Sequence, residues 1–189
     1  MAERPLLDNG LPSLNRFITD HDAKGVTKFS SRVEEKLEWQ PIGPIAKFAL
    51  GYTTKGFPVQ LSDEADITSY EGFLQNKPGI IIPGGTVLRI VDSAPGAMSP
   101  MHRTMSLDYG VVLEGEFELI LESGEKRVMR RGDTSIQRAT NHAWRNMSET
   151  KWARMLYVLQ ESEPVVVAGR TLGEDYGVGM TGVKPSAAE

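Results

Sequence analysis

Apolar and polar residues alternate with period two through most of the chain after residue 86. Thr86–Asp92 alternates around Val87, Arg89 and Val91. In Glu116–Leu121, Phe117, Leu119 and Leu121 take one face while Glu116 and Glu118 take the other. This is the signature of half-buried β-strands. Turn residues punctuate it at short intervals, at Pro95-Gly96, Glu114-Gly115, Ser123-Gly124 and Arg131-Gly132-Asp133. Further strands are expected over Thr134–Gln137, Ala143–Asn146, Ala153–Leu159 and Val165–Val167. Many short strands without intervening helices predict an all-β antiparallel sandwich or barrel. No internal repeat is present, so one barrel is expected.

The first third is less periodic, and recurrent Pro and Gly argue against long helices there. Short strands are expected at Asn15–Thr19, Thr27–Ser30 and Lys47–Thr53. Leu61-Ser62-Asp63-Glu64 reads as a cap before a short helical turn through Tyr70 and Leu74. The organisation is therefore extra N-terminal strands and loops over 1–83 that pack on the barrel, a barrel core over 84–170, and a mobile tail over 171–189.

Charge and composition narrow the partners. The 21 basic residues against 25 acidic ones give a net charge of −4, and no basic stripe interleaves with aromatics. Nucleic acid is not an expected partner. The longest apolar runs are too short to span a bilayer, and the N-terminus lacks a basic-then-apolar leader pattern, so a cytoplasmic protein is expected. The absence of cysteine excludes disulfides and thiolate chemistry.

The candidate chemistry lies in His102-Arg-Thr104-Met-Ser106-Leu-Asp108, continued by Val-Val-Leu-Glu-Gly115, and in Gly132-Asp133 with His142-Ala-Trp144-Arg-Asn146. Two of the three histidines fall here. His102, Asp108 and His142 could converge on one divalent ion, two imidazoles and a carboxylate suiting Fe(II) or Zn. The alternative is a metal-free pocket with hydrogen-bonded interior histidines. Arg89 shares a strand face with Val87 and Val91, so it can point inward and clamp a carboxylate. Thr104 and Ser106 share parity with His102, and Trp144 and Asn146 share parity with His142. These four are the candidate substrate-binding residues. Arg103 and Tyr109 fall on the opposite parity and read as structural.

These motifs resemble the cupins. The cupin pattern has two histidines one residue apart, then a glutamate and a strand closing in Gly; a second motif opens with Gly-Asp and holds a histidine followed by Asn. Trp39-Gln40-Pro41 and Gly56-Phe57-Pro58-Val59 extend the likeness to a group of small single-domain cupins, whose fungal members accompany polyketide tailoring enzymes. Thr104 stands where the second histidine belongs, and Asp108 replaces the glutamate. The resemblance implies a jelly-roll (double-stranded β-helix) barrel, a homodimer and a small-molecule substrate. It also implies an enzyme acting on a polyketide-derived or aromatic acid, with metal-assisted decarboxylation or isomerisation through an enolate expected. His102, Asp108, His142 and Arg89 would then be catalytic. A metal-free acid–base cyclase, an Fe(II) oxygenase and a non-catalytic binding protein are the alternatives.

Overall fold

A computed structural model describes residues 9–178, 184 and 186. Its strands run β1 (Thr19–His21), β2 (Thr27–Phe29), β3 (Trp39–Ile42) and β4 (Ala46–Lys55) before the helical segment. After it come β5 (Gly85–Ser93), β6 (Ser106–Glu114), β7 (Glu116–Leu121), β8 (Lys126–Arg130) and β9 (Thr134–Arg138). The chain continues through β10 (His142–Asn146), β11 (Ala153–Glu161), β12 (Val165–Val167) and β13 (Arg170–Leu172). All pairings are antiparallel.

Six strands form the larger sheet, in the order β3-β4-β5-β11-β6-β9, and β10-β7-β8 form a smaller one. The sheets face each other across apolar side chains. Phe117, Met129 and Trp144 of the smaller sheet pack with Val112, Ala153 and Met155 of the larger. At the other end, Leu50, Val87 and Leu159 pack with Tyr70 and Ile80–Ile82. This is the all-β jelly-roll expected. β3 and β4, from the part expected to pack on the barrel, hydrogen-bond directly into its larger sheet.

Alternation placed most strands within two residues, and three departures have local causes. The first hairpin is Thr19–His21 with Thr27–Phe29; Asn15 makes only an isolated bridge to Lys36. Asp22 Oδ1 accepts the amides of Lys24 and Val26, and that turn sets the hairpin register. The helical element is longer than one turn, with a 3-10 turn at Ser62–Glu64 leading into α1 (Ala65–Gln75). No side chain caps it; Asp63 and Glu64, both at left-handed φ, form the junction instead. α1 docks through buried Ile67 and Tyr70, the latter donating to Leu50 O at 2.8 Å. Finally, Gly173–Gly177 lies against its own barrel: Arg103 and Asp175 exchange backbone hydrogen bonds, and Arg103 Nε donates to Gly173 O. The tail residues 179–183, 185 and 187–189 lie outside the described residues.

On the inner face, Gly110 leaves room for the Tyr157 ring. A Cβ there would sit 2.6 Å from Ser135 Oγ and 3.2 Å from Tyr157 Cε1. Gly110→Ala should cost about 1–3 kcal/mol by overpacking and lower Tm by roughly 2–4 °C per kcal/mol. A thermal melt indistinguishable from wild type would contradict this packing.

Candidate active site

Between the two apolar clusters lies a cavity of about 370 Å³. Ile45, Phe48, Ile80, Val91 and Leu159 are among its apolar walls, and Arg89, His102, Thr104, Asp108 and Tyr157 supply polar groups. Strand register explains this placement. Arg89 on β5 pairs with Tyr157 on β11, and Leu159 on β11 pairs with Asp108 on β6. The inward residues of three adjacent strands therefore carry a polar row through an apolar face.

His102 and His142 exchange backbone hydrogen bonds of 2.8 and 2.9 Å, bringing their ring centres to 4.3 Å. Each Nδ1 faces a backbone carbonyl at 2.9 Å, Pro100 O for His102 and Thr140 O for His142. A carbonyl only accepts, so each Nδ1 carries the proton and each Nε2 keeps its lone pair. Burial lowers the pKa of His102; burial and the neighbouring His102 lower that of His142 to about 3. Both rings are neutral at pH 7.

This has a consequence for acid stability. The unfolded His142 takes up a proton near pH 6.5, whereas the folded one resists it until about 3. Stability contributed above pH 6.5 is thus lost as pH falls through that window, by about 3 kcal/mol at pH 4. Asp108 opposes the trend between its ordinary value and about 6, because its folded form binds the proton more tightly. His142→Asn should flatten the acid limb of unfolding free energy measured by denaturant titration across pH 4–7. An unchanged limb would show that His142 is not held neutral.

Asp108 is 5% exposed, and burial raises its pKa to about 6 against the pull of the Ser106 and Thr104 hydroxyls and Arg89. Ser106 Oγ donates to Thr104 Oγ1 at 2.7 Å, and Thr104 Oγ1 makes a long 3.3 Å hydrogen bond to Asp108 Oδ2. Asp108 Oδ1 is buried without a hydrogen-bond partner. Such an orphan oxygen is costly unless a ligand or a proton satisfies it.

The expected metal set is not assembled. Among the described residues, no three His, Asp or Glu side chains converge to hold an ion. The two histidines pair, but the hydroxyl of Thr104 engages the carboxylate from the position where a second histidine would stand. Two imidazoles alone fall short of the three protein ligands usual in catalytic sites.

The remaining candidates separate. Thr104 and Trp144 line the cavity, and Ser106 lies behind Thr104. Neither His142 nor Asn146, which share parity, lines it. Asn146 Nδ2 donates to the carbonyls of Ser93, Ala94 and Lys151, and its Oδ1 accepts from Ser148, so it staples loops. Tyr109 is 43% exposed on the outer face and packs less than expected. Tyr157 was missed: it is half-buried in the polar row, and its hydroxyl meets only Met155 Sδ at 3.0 Å. Burial and Asp108 push that phenol well above its ordinary range, keeping it a proton donor. Its inward parity with Met155 and Leu159 was the available signal.

A jelly-roll barrel with two paired histidines, one of them lining an apolar cavity, defines the class of protein. Residues 89–159 match the cupin domain family. The chain is 51% identical over 172 residues to phomopsin biosynthesis cluster protein D of Diaporthe leptostromiformis, covering 91% of each. It is 46% identical over 172 residues to oryzines biosynthesis cluster protein J of Aspergillus oryzae, covering 91% of this chain and 96% of that one. A cupin-domain-containing oxidoreductase of Neurospora crassa is 40% identical over 168 residues, with 89% and 84% covered. The chain belongs to the cupin family.

Proposed function

We propose that this cupin is a tailoring enzyme for a small oxygenated metabolite, moving a proton beside a carbonyl group in the barrel cavity. The observation that carries this is the buried, unpartnered Asp108 Oδ1, on a carboxyl with its pKa near 6, in a wall shared with a neutral imidazole. A base poised near neutral pH suits abstraction of a proton from carbon. Above pH 6 the Asp108 carboxylate takes that proton and can return it to a different carbon. The Tyr157 hydroxyl donates to the oxygen on which enolate charge develops. His102 Nε2, a lone-pair nitrogen, accepts a substrate hydroxyl. Ser106 and Thr104 hold the Asp108 carboxyl in place. Relatives named as biosynthesis cluster proteins support a metabolic tailoring role.

Decarboxylation and isomerisation share this enolate. A panel of β-keto and hydroxyaromatic acids incubated with the protein in D₂O tests it. Deuterium entering the carbon next to the carbonyl, read by mass spectrometry and NMR, is the expected result. Acids that bind but show neither exchange nor product would remove proton transfer from the account.

A second reading, oxidation of the same substrate, is favoured by relatives named as cupin-domain-containing oxidoreductases. Consumption of O₂ or of an added electron acceptor with these acids, without deuterium entry, would select it. Among the described residues the donor set stops at two imidazoles, short of a catalytic metal site.

A further inference from the structure

We infer that the ligand of this cavity is a carboxylic acid, seated with its carboxylate on Arg89 and its apolar body along the barrel wall. The inference takes from the functional reading only that this cavity holds the ligand.

Arg89 is 8% exposed and sits at the centre of the inner face, between Leu50 on β4 and Tyr157 on β11. Its guanidinium rests 5.2 Å from the Phe48 ring centre, and one nitrogen, Nη2, donates to Gly79 O at 2.9 Å. Among the described residues that is the one hydrogen bond of a group with five N–H donors. Among the described residues no carboxylate lies within 4 Å of it, although Arg154, the other deeply buried arginine, has a bidentate partner in Asp92. A buried cation without a counter-ion is costly, and proteins otherwise pair such groups.

The surrounding charges do not fill that role. Asp108 stands two strands away, its backbone about 10 Å off at ordinary strand spacing; the two charges feel each other, but Asp108 makes no ion pair with Arg89 within 4 Å and its Oδ2 is engaged by Thr104. Glu38 lines a neighbouring cavity of about 140 Å³ that also touches Arg89, but Lys77 and Lys184 line it too, so its balance is cationic. Tyr176 is near enough to act electrostatically, yet its phenol is held protonated by burial and Glu174. The missing anion is supplied by the ligand. A guanidinium fork matches the two oxygens of a carboxylate, and the apolar remainder of the cavity suits a hydrocarbon or aromatic body rather than a bare inorganic ion.

Trp144 lines one cavity and Trp39 the other, so intrinsic fluorescence reports binding. The intact protein is titrated with benzoate, benzamide and inorganic phosphate, alongside Arg89→Met and Arg89→Lys. Wild type should prefer benzoate over benzamide at least tenfold. Arg89→Met should abolish the preference, and Arg89→Lys should keep part of it. Without ligand, Arg89→Met should melt no lower than wild type, because no charge is left unpaired and only the half-buried Gly79 O loses a donor. Equal affinity for benzoate and benzamide, a preference surviving in Arg89→Met, or phosphate binding as tightly as benzoate would overturn the inference. So would a large loss of Tm in unliganded Arg89→Met, which would make Arg89 a structural residue. Benzoate binding with no deuterium exchange on any acid would leave this inference standing and remove the proton-transfer reading. Exchange on neutral substrates with no preference for acids would do the reverse.

Discussion

Asp108→Asn should lower turnover about 10²–10⁴-fold, the range that a positioned general base contributes, while making the protein more stable above pH 6. The two effects have one cause. Burial favours the neutral carboxyl, raising its pKa to about 6 from an ordinary 3.8. Above pH 6 the carboxylate is ionised in both states, so the folded state bears the full cost of a buried charge. That cost is about 3 kcal/mol for a shift of roughly two units. Below pH 3.8 both states are neutral and the variant gains nothing. Asn should therefore raise Tm at pH 7–8 and leave it unchanged near pH 3.5, as differential scanning calorimetry will show. In the wild type, kcat/KM should rise with pH through about 6, and this limb should vanish in the variant. An unaltered pH profile would place the base elsewhere. With a substrate carboxylate seated on Arg89, the ion pair favours that carboxylate over neutral CO₂. Among the enolate reactions, isomerisation with retention of mass is then the expected outcome.

Arg154→Ala should destabilise the fold by about 3–5 kcal/mol, the usual result of leaving one member of a buried ion pair behind. Arg154 and Asp92 face each other on β11 and β5, with Nε–Oδ1 at 2.6 Å and Nη2–Oδ2 at 2.8 Å. Both are almost inaccessible, 2% and 0% exposed. The same guanidinium donates to Pro12 O at 2.7 Å and lies 5.0 Å from the Trp39 ring, while Asn9 Nδ2 donates to Asp92 Oδ2 at 2.6 Å. Lys47 Nζ, 3.7 Å from Asp92, compensates only part of the orphaned charge. A Tm lower by roughly 6–20 °C, with the segment Asn9–Pro12 losing hydrogen-exchange protection, is the expected result. Asp92→Leu with Arg154→Met should recover much of the loss, since desolvation of both charges is then avoided. A melt unchanged by Arg154→Ala would mean that the pair is solvated and contributes little.

The sequence by itself determined the strand-rich architecture, because half-buried strands leave a period-two record that needs no tertiary information. It determined the inward register of Val87, Arg89 and Val91, and it singled out His102 and His142, which the fold brings to a ring separation of 4.3 Å. It did not reveal β8, whose residues Lys126–Arg130 are largely exposed and so carry little alternation. Nor did it reveal β3, where Pro41 interrupts an edge strand.

Parity along one strand also could not separate Trp144, which lines the cavity, from Asn146, whose amide is consumed by loop carbonyls fifty residues away in sequence. The tertiary structure alone decided that Asp108 stays with Thr104 while the histidines pair, that Tyr157 completes the polar row, and that no carboxylate among the described residues lies within ion-pair distance of Arg89. Those properties belong to burial and to contacts between strands distant in the chain. A side chain's protonation and its unmet hydrogen bonds are fixed by what the fold places around it, and neighbours in sequence do not encode them.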